Sequence, residues 1–139
     1  MKLSANAERT SIANASAALD RAVAPPLAPV EPVIDLDHLA RMTHGEQSLE
    51  REVLQLFDQQ AGMLLVRMAS ETPKVVGALA HTLTGSARGI GAWKVAAAAA
   101  AVERAANIAD PVPLAGALDC LSAAVTETQA AIADMERMR

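Results

Sequence analysis

Aromatic residues are nearly missing from this 139-residue sequence, which has one Phe, one Trp and no Tyr. The apolar fraction is nevertheless 52%, so any core must be built from Ala, Leu, Val, Ile and Met. Ala and Leu favour helices, whereas strands are usually rich in β-branched and aromatic residues. The composition therefore predicts an all-α domain.

Three further absences narrow the class of protein. The single cysteine, Cys120, cannot form an internal disulfide, which fits a reducing compartment, and we expect it to be a buried or half-buried residue of a helix. No apolar run approaches the ~20 residues of a membrane helix, and polar residues interrupt the N-terminal segment too often for a secretion signal. The formal charge of −4 lacks the basic footprint of a nucleic-acid binder. We expect a cytoplasmic protein with neither a membrane nor a nucleic acid as partner.

The prolines divide the chain into two parts. Four of the seven prolines fall within residues 25–32, a stretch typical of an extended linker. Upstream, four apolar residues recur at helical spacing, namely Ile12, Ala15, Leu19 and Val23. Both a short helix and a disordered tail are consistent with so few small apolar residues. We assign residues 1–33 to an N-terminal tail and proline-rich linker, part helical in the first case, and residues 34–139 to a bundle.

From residue 34 onward the pattern predicts one short helix and four longer ones. The start signals are a capping Asp35 and the dipeptides Thr72-Pro73 and Asp110-Pro111. The second helix, expected over residues 46–69, would face inward at Leu49, Val53, Leu56 or Phe57, Leu64 and Met68. The last helix has a regular seam of Leu114, Leu118, Leu121, Val125, Thr128, Ile132 and Met135. These features predict an antiparallel four-helix bundle with a short N-terminal lid helix.

The third helix contains the residue with the clearest functional potential. Its predicted buried seam consists of Val76, Leu79, Leu83, Ser86 and Ile90. His81 lies two residues from both Leu79 and Leu83, roughly 200° around the helix from each of them. The sequence therefore predicts that the imidazole is at the outermost position of this helix.

The predicted surroundings of His81 are unusual for a solvated helix face. One turn away lie Gly77 and Ala78 on one side and Thr84 and Gly85 on the other, and two turns away lie Lys74 and Arg88. A glycine within a helix is unfavourable by about 1 kcal/mol against alanine, so we interpret Gly85 as a place where another protein's backbone approaches His81. A functionless surface histidine, a glycine that tolerates a helix crossing and an ordinary solvated Arg88 are the alternative interpretation.

Residues 80–92, AHTLTGSARGIGA, resemble the signature of histidine-containing phosphotransfer (Hpt) domains. In that signature a helix carries His, a leucine two residues on, Lys three on, Gly four on, then small residues and a final Gly. Leu54 and Phe57 of the second helix and Val102-Glu103 further on are also similar to the family. The resemblance extends over roughly residues 34–135.

The resemblance implies a role for several residues. His81 would accept a phosphoryl group on Nε2 from the aspartyl phosphate of a receiver domain and pass it to another receiver. Gly85 would permit docking of receivers from response regulators or hybrid histidine kinases. The receiver would supply the acidic pocket and Mg²⁺, so we expect no metal or cofactor in this chain. The resemblance implies a monomeric phosphocarrier rather than an enzyme with its own ATP-binding domain.

The sequence departs from the signature at Thr84, where the family usually has a lysine that neutralises the phosphate. Arg88 would partly substitute for that lysine, and Lys74 is the other cation on the same predicted face. Without a cation one turn from His81, a module that docks a receiver or kinase without phosphotransfer is the alternative function. Metal binding and hydrolysis are not supported, since the three histidines are separated and Ser86 has no evident base beside it.

Overall fold

The structure, a computed structural model, describes residues 32–138. Over this range it consists of five α-helices and no strand, namely α1 Leu36–Met42, α2 Gln47–Met68, α3 Pro73–Ile90, α4 Trp93–Ala106 and α5 Pro111–Arg137. The all-α prediction is confirmed. The predictions of a tail, a linker and a possible helix before residue 32 lie outside the described residues.

The four long helices form the predicted antiparallel bundle. Each helix packs against the next one in the chain, and α2 also packs against α5, which closes the ring. The connections between them are short, so consecutive helices run in opposite directions. Their shared core contains fully buried side chains from each helix, among them Leu54, Leu83, Val95, Val102 and Leu121.

The inward face of α2 differs from the predicted one. The buried residues are Leu54, Phe57, Ala61, Leu64 and Met68, which follow alternating steps of three and four. Leu49 and Val53 are only half-buried, and Leu56 is 61% exposed. Of the two residues predicted as alternatives on the inward face, Phe57 is therefore the buried one. The apolar residues of α2 cover more than one face, so periodicity alone did not select the stripe that faces the core.

The seam of α5 is confirmed in its central part, while the expectation for Cys120 is wrong. Leu121, Val125, Thr128 and Ile132 are buried, and the ends of the predicted seam are half-buried. Cys120 is exposed. It precedes Leu121 by one residue, which rotates its side chain by about 100° away from the core.

The turn between α3 and α4 requires a glycine. Gly91 ends α3 in the left-handed conformation, with φ of 78°. A Cβ atom added to it would lie 2.9 Å from the Cβ of Asp35 and 3.0 Å from the Asp35 carbonyl oxygen. Glycine is the residue that adopts this conformation without strain, and here it also leaves room for the chain that enters α1.

The short helix α1 is held against this turn as a lid on one end of the bundle. The Asp35 amide donates to the Gly91 carbonyl at 2.9 Å. The Asp35 carboxylate caps α1 by accepting from the His38 amide at 3.1 Å, and it also accepts from the Trp93 indole at 3.1 Å. These two hydrogen bonds, that from the His38 amide above all, lower the pKa of the Asp35 carboxyl group. The His38 ring meets the Trp93 ring edge-on, with 5.0 Å between the ring centroids.

None of the helices within residues 32–138 has the length and apolar character needed to span a membrane.

Candidate functional site

His81 lies in the middle of α3 with its side chain in solvent. Its side chain is 75% exposed, while Leu79 and Leu83 on either side of it are buried. Helix α3 packs against both α2 and α4, which hold it in place. The fold therefore holds one imidazole at a fixed position on the surface.

Glu103 of α4 orients the imidazole ring. Its carboxylate oxygens lie 3.1 Å and 3.3 Å from Nδ1 of His81. A carboxylate only accepts hydrogen bonds, so Nδ1 carries the hydrogen and donates it. In the neutral ring the lone pair is then on Nε2, the nitrogen on the other side of the ring. The pair thus presents Nε2 to solvent as the nucleophilic atom.

A cleft of about 670 Å³ opens beside the imidazole between α3 and α4. Its walls are formed by Lys74, Gly77, Ala78, His81, Glu103, Ala106 and Asn107. Four of the predicted site residues are therefore brought together here: Lys74, Gly77, Ala78 and His81. Gly77 also has a packing role, because a Cβ atom at that position would touch the Ala106 Cβ at 3.4 Å. Among residues 32–138, no three His, Cys, Asp or Glu side chains are grouped so as to hold a metal ion.

Residues 46–137 match the sequence profile of the family described as the Hpt domain, which is most of the helical bundle. The chain belongs to the Hpt domain family. Among solved structures, the bundle is similar to an X-ray structure from rice described as that of a histidine-containing phosphotransfer protein. The TM-score is 0.64 at 17% identity, over 76% of this chain and 83% of the rice chain. This second similarity concerns the fold alone. No match was found among curated proteins.

Gly85 and Arg88 lie on the exposed surface of the Hpt domain, but outside the cleft. Gly85 is exposed, and a Cβ atom added to it would have no heavy atom within 4 Å. Packing within the described residues therefore gives no reason for a glycine there. The Arg88 side chain is exposed as well and does not line the space beside the imidazole.

Thr84 is the one predicted surface residue that the structure does not place at the surface. It is only 5% exposed, and its hydroxyl donates to the Ala80 carbonyl at 2.9 Å. Thr84 follows Gly77 by seven residues, so both residues lie on the flank of α3 that packs on α4. His81 is 60° further round, on the solvent side of that flank. The description of Thr84 as part of an exposed stripe is therefore wrong.

Glu103 and Asn107 are site residues that helix periodicity did not reveal. Glu103 is indicated only by the family resemblance, and its contact with His81 depends on how α3 and α4 are aligned. Asn107 follows α4 as its C-cap, and its side-chain amide donates to the Glu103 carbonyl at 3.2 Å. The hydrogen bond steadies the end of α4 from which Glu103 projects. The one feature of the sequence that could have indicated this contact is a carboxylate on the helix that follows the histidine-bearing helix.

A second groove runs along the other flank of α3. Its volume is about 380 Å³, and it is lined by Val53, Leu56, Phe57, Gln60, Ser86 and Ile90. On the outer face of α2, Leu56 and Met63 are 61% and 65% exposed. The exposed face of α3 is thus flanked by a polar cleft at α4 and by apolar side chains at α2.

Proposed function

We propose that this Hpt domain is a phosphocarrier, in which His81 takes a phosphoryl group from the aspartyl phosphate of one receiver domain and passes it to another. The observation that carries the proposal is the geometry of His81 and Glu103. The imidazole is exposed, and its Nδ1 lies 3.1 Å from a carboxylate. A nucleophile that must enter the active site of another protein has to be accessible and correctly oriented before the two meet.

The chemistry requires the lone pair on Nε2. In the forward step Nε2 attacks the phosphorus atom, the bond between phosphorus and the receiver's aspartate oxygen breaks, and the electron pair returns to that carboxylate. The phosphorylated ring, which keeps its hydrogen on Nδ1, carries a positive charge. Glu103 lies against that side of the ring and stabilises it. Transfer to the next receiver is the reverse reaction with a different aspartate.

The remaining requirements of phosphoryl transfer are alignment and neutralisation of charge. The receiver brings its own acidic pocket and Mg²⁺, so the Hpt domain contributes the nucleophile and a surface on which to dock. Gly85, one turn after His81, leaves that surface free of a side chain. The exposed Leu56 and Met63 of α2 supply apolar area for the same contact.

The test is transfer from a radiolabelled, phosphorylated receiver to the chain. We expect a label that is labile in acid and stable in base, as a phosphohistidine is. His81→Gln abolishes the label and leaves the helical signal in circular dichroism unchanged. His44→Asn is the matched control, because His44 is exposed and has φ of 56°, a conformation that asparagine tolerates. Loss of the label in the control, or its survival in His81→Gln, would refute the proposal.

The buried Thr84 favours one other function, a module that docks a receiver without taking its phosphate. With a neutral threonine at this position, α3 has no cation one turn from His81 on its exposed face. Such a module would bind the receiver in a pull-down or by calorimetry and remain unlabelled. A chain that both binds and becomes labelled is a carrier.

The substitution Glu103→Gln tests what the charge of the carboxylate contributes beyond orienting the His81 ring. Glutamine keeps an acceptor for the Nδ1 hydrogen and removes the negative charge that stabilises the phosphorylated ring. Because the pair is partly exposed, we expect a contribution of about 1 kcal/mol, which corresponds to a fivefold loss of transfer rate. An unchanged rate in Glu103→Ala would show that the ring does not need this carboxylate.

A further inference from the structure

The negative charge of a phosphoryl group on His81 calls for a nearby cation. The structure limits which cation of this chain can be that neighbour. A phosphoryl group adds close to two negative charges at neutral pH. The carboxylate of Glu103, which lies against Nδ1, is matched by the positive charge of the phosphorylated ring, so the charge of the phosphoryl group remains unbalanced. Thr84 is neutral and buried between α3 and α4. The candidates considered next are the cations of α3 and α4, the two helices that line the cleft beside the imidazole.

Four cations belong to these two helices, and only one of them lines the cleft. They are Lys74 and Arg88 on α3 and Lys94 and Arg104 on α4. Lys94 is engaged with Glu127 of α5 at 3.4 Å. Arg88 and Arg104 are exposed and do not border the space next to His81, whereas Lys74 does.

The direction of side chains on a helix explains why the His81 ring leans towards the Lys74 side. The bond from Cα to Cβ tilts towards the N-terminus of a helix, so a side chain covers the preceding turn. The His81 ring accordingly borders the cleft together with Gly77 and Ala78, and not with Gly85. Lys74 is seven residues before His81, within about 20° of the same direction around the axis.

Nothing else in the described residues engages the Lys74 ammonium group. Lys74 forms no ion pair with any residue of 32–138, and the first turn of α3 contains no acidic side chain. It lies in that first turn, where the helix dipole also favours an anion. The small residues Gly77 and Ala78 form the floor between the ammonium group and the imidazole.

We infer that Lys74 binds the phosphoryl oxygens on His81 and stabilises the phosphorylated form of this chain. Lys74 and His81 line the same cleft, which brings the lysine to the N-terminal side of the imidazole. Arg88, on the C-terminal side of His81, does not line this cleft and is the comparison for the test. This inference rests on the proposed phosphotransfer at His81.

The experiment is the equilibrium of phosphate between a receiver and the full chain, with Lys74→Gln and Arg88→Gln as a matched pair. Lys74→Gln is expected to move the equilibrium away from His81 by about three- to fivefold at low ionic strength, because exposed charge pairs are weak. The effect should shrink in 0.5 M salt, and Lys74→Arg should restore most of it. Arg88→Gln is expected to change the equilibrium by less than about 1.5-fold.

A second measurement keeps docking separate from stabilisation of the phosphate. The isolated phosphorylated chain is followed as it hydrolyses without a receiver, and Lys74→Gln is expected to change that rate while Arg88→Gln does not. Equal effects of the two substitutions, or an effect of Arg88→Gln alone, would overturn the inference. If no variant and not even the native chain becomes labelled, it is the proposed function that has failed. Circular dichroism of each variant confirms that the bundle is folded.

Discussion

Gly85 within α3 and Gly91, the C-cap that follows α3, differ in what surrounds them. Gly91, at the lid end, has φ of 78° and Asp35 atoms within 3.0 Å of where a Cβ would be. Gly85, on the face that carries His81, has nothing within 4 Å. The lid end is filled by contacts within the chain, whereas the face around His81 is left open. Small residues thus serve folding in one region, and in the other we propose that they give a partner access to His81.

The largest expected effect is that of Gly91→Ala. Alanine in the left-handed conformation is strained, and its Cβ would overlap the backbone of Asp35, so we expect a loss of about 3 kcal/mol or more in the free energy of unfolding. Gly89→Ala is the control, since Gly89 lies within α3 and has open space around it. Urea unfolding measures both. Equal stability of the two variants would remove the contrast between the regions.

Thr84→Lys comes next and tests whether position 84 belongs to the packed flank. A lysine there must extend its side chain out from between α3 and α4, and we expect a loss of about 1–3 kcal/mol. Thr84→Val keeps the volume and removes only the hydroxyl, so its effect should stay below about 1 kcal/mol. A lysine variant as stable as the native chain would mean that this flank is open to solvent.

Gly85→Ala should have a smaller effect and the opposite sign. Because the added methyl group meets no atom of the chain, helix propensity should raise the free energy of unfolding by up to about 1 kcal/mol. Gly85→Gln should also fold normally, yet slow phosphotransfer from a receiver, since its side chain would project into the proposed docking surface. A marked loss of stability in Gly85→Ala would make it a packing residue like Gly91.

The smallest effect concerns the pH dependence of the lid. The pKa of Asp35 is lowered in the folded chain by hydrogen bonds from the His38 amide and the Trp93 indole. A lowered pKa in the folded state means that the stabilisation is present above the ordinary value of about 4 and is lost as the pH falls through the lowered value. The difference in melting temperature between the native chain and Asp35→Asn should therefore shrink below about pH 4. A difference that is the same at pH 3 and pH 7 would exclude titration of Asp35 as its cause.

Periodicity was sufficient for the architecture and for the outward position of His81. The helix starts at Asp35, Thr72-Pro73 and Asp110-Pro111 all match, because a cap and a proline act locally. Periodicity could not predict how each helix is rotated about its own axis relative to its neighbours. Leu56 and Thr84 both lie within one turn of correctly predicted positions, yet one is exposed and the other is buried.

The cleft depends on information that a single helix pattern does not contain. Glu103 reaches His81 only because α3 and α4 are antiparallel in a particular register, which is set where Gly77 meets Ala106. Small residues on both helices allow that close approach, but many registers of an alanine-rich helix would satisfy the same pattern. The helix pattern likewise does not show which of Lys74 and Arg88 lies beside the imidazole, because that depends on where the cleft is.

The most direct test of the central claim is to identify the atom that carries the phosphate. The chain is labelled with ¹⁵N, phosphorylated by a receiver, and examined by ³¹P and ¹⁵N NMR for coupling between phosphorus and the imidazole nitrogens. Because Glu103 holds the hydrogen on Nδ1, the account predicts that phosphorus is bonded to Nε2 of His81. A phosphate on Nδ1 of His81, or on any other residue, would contradict it.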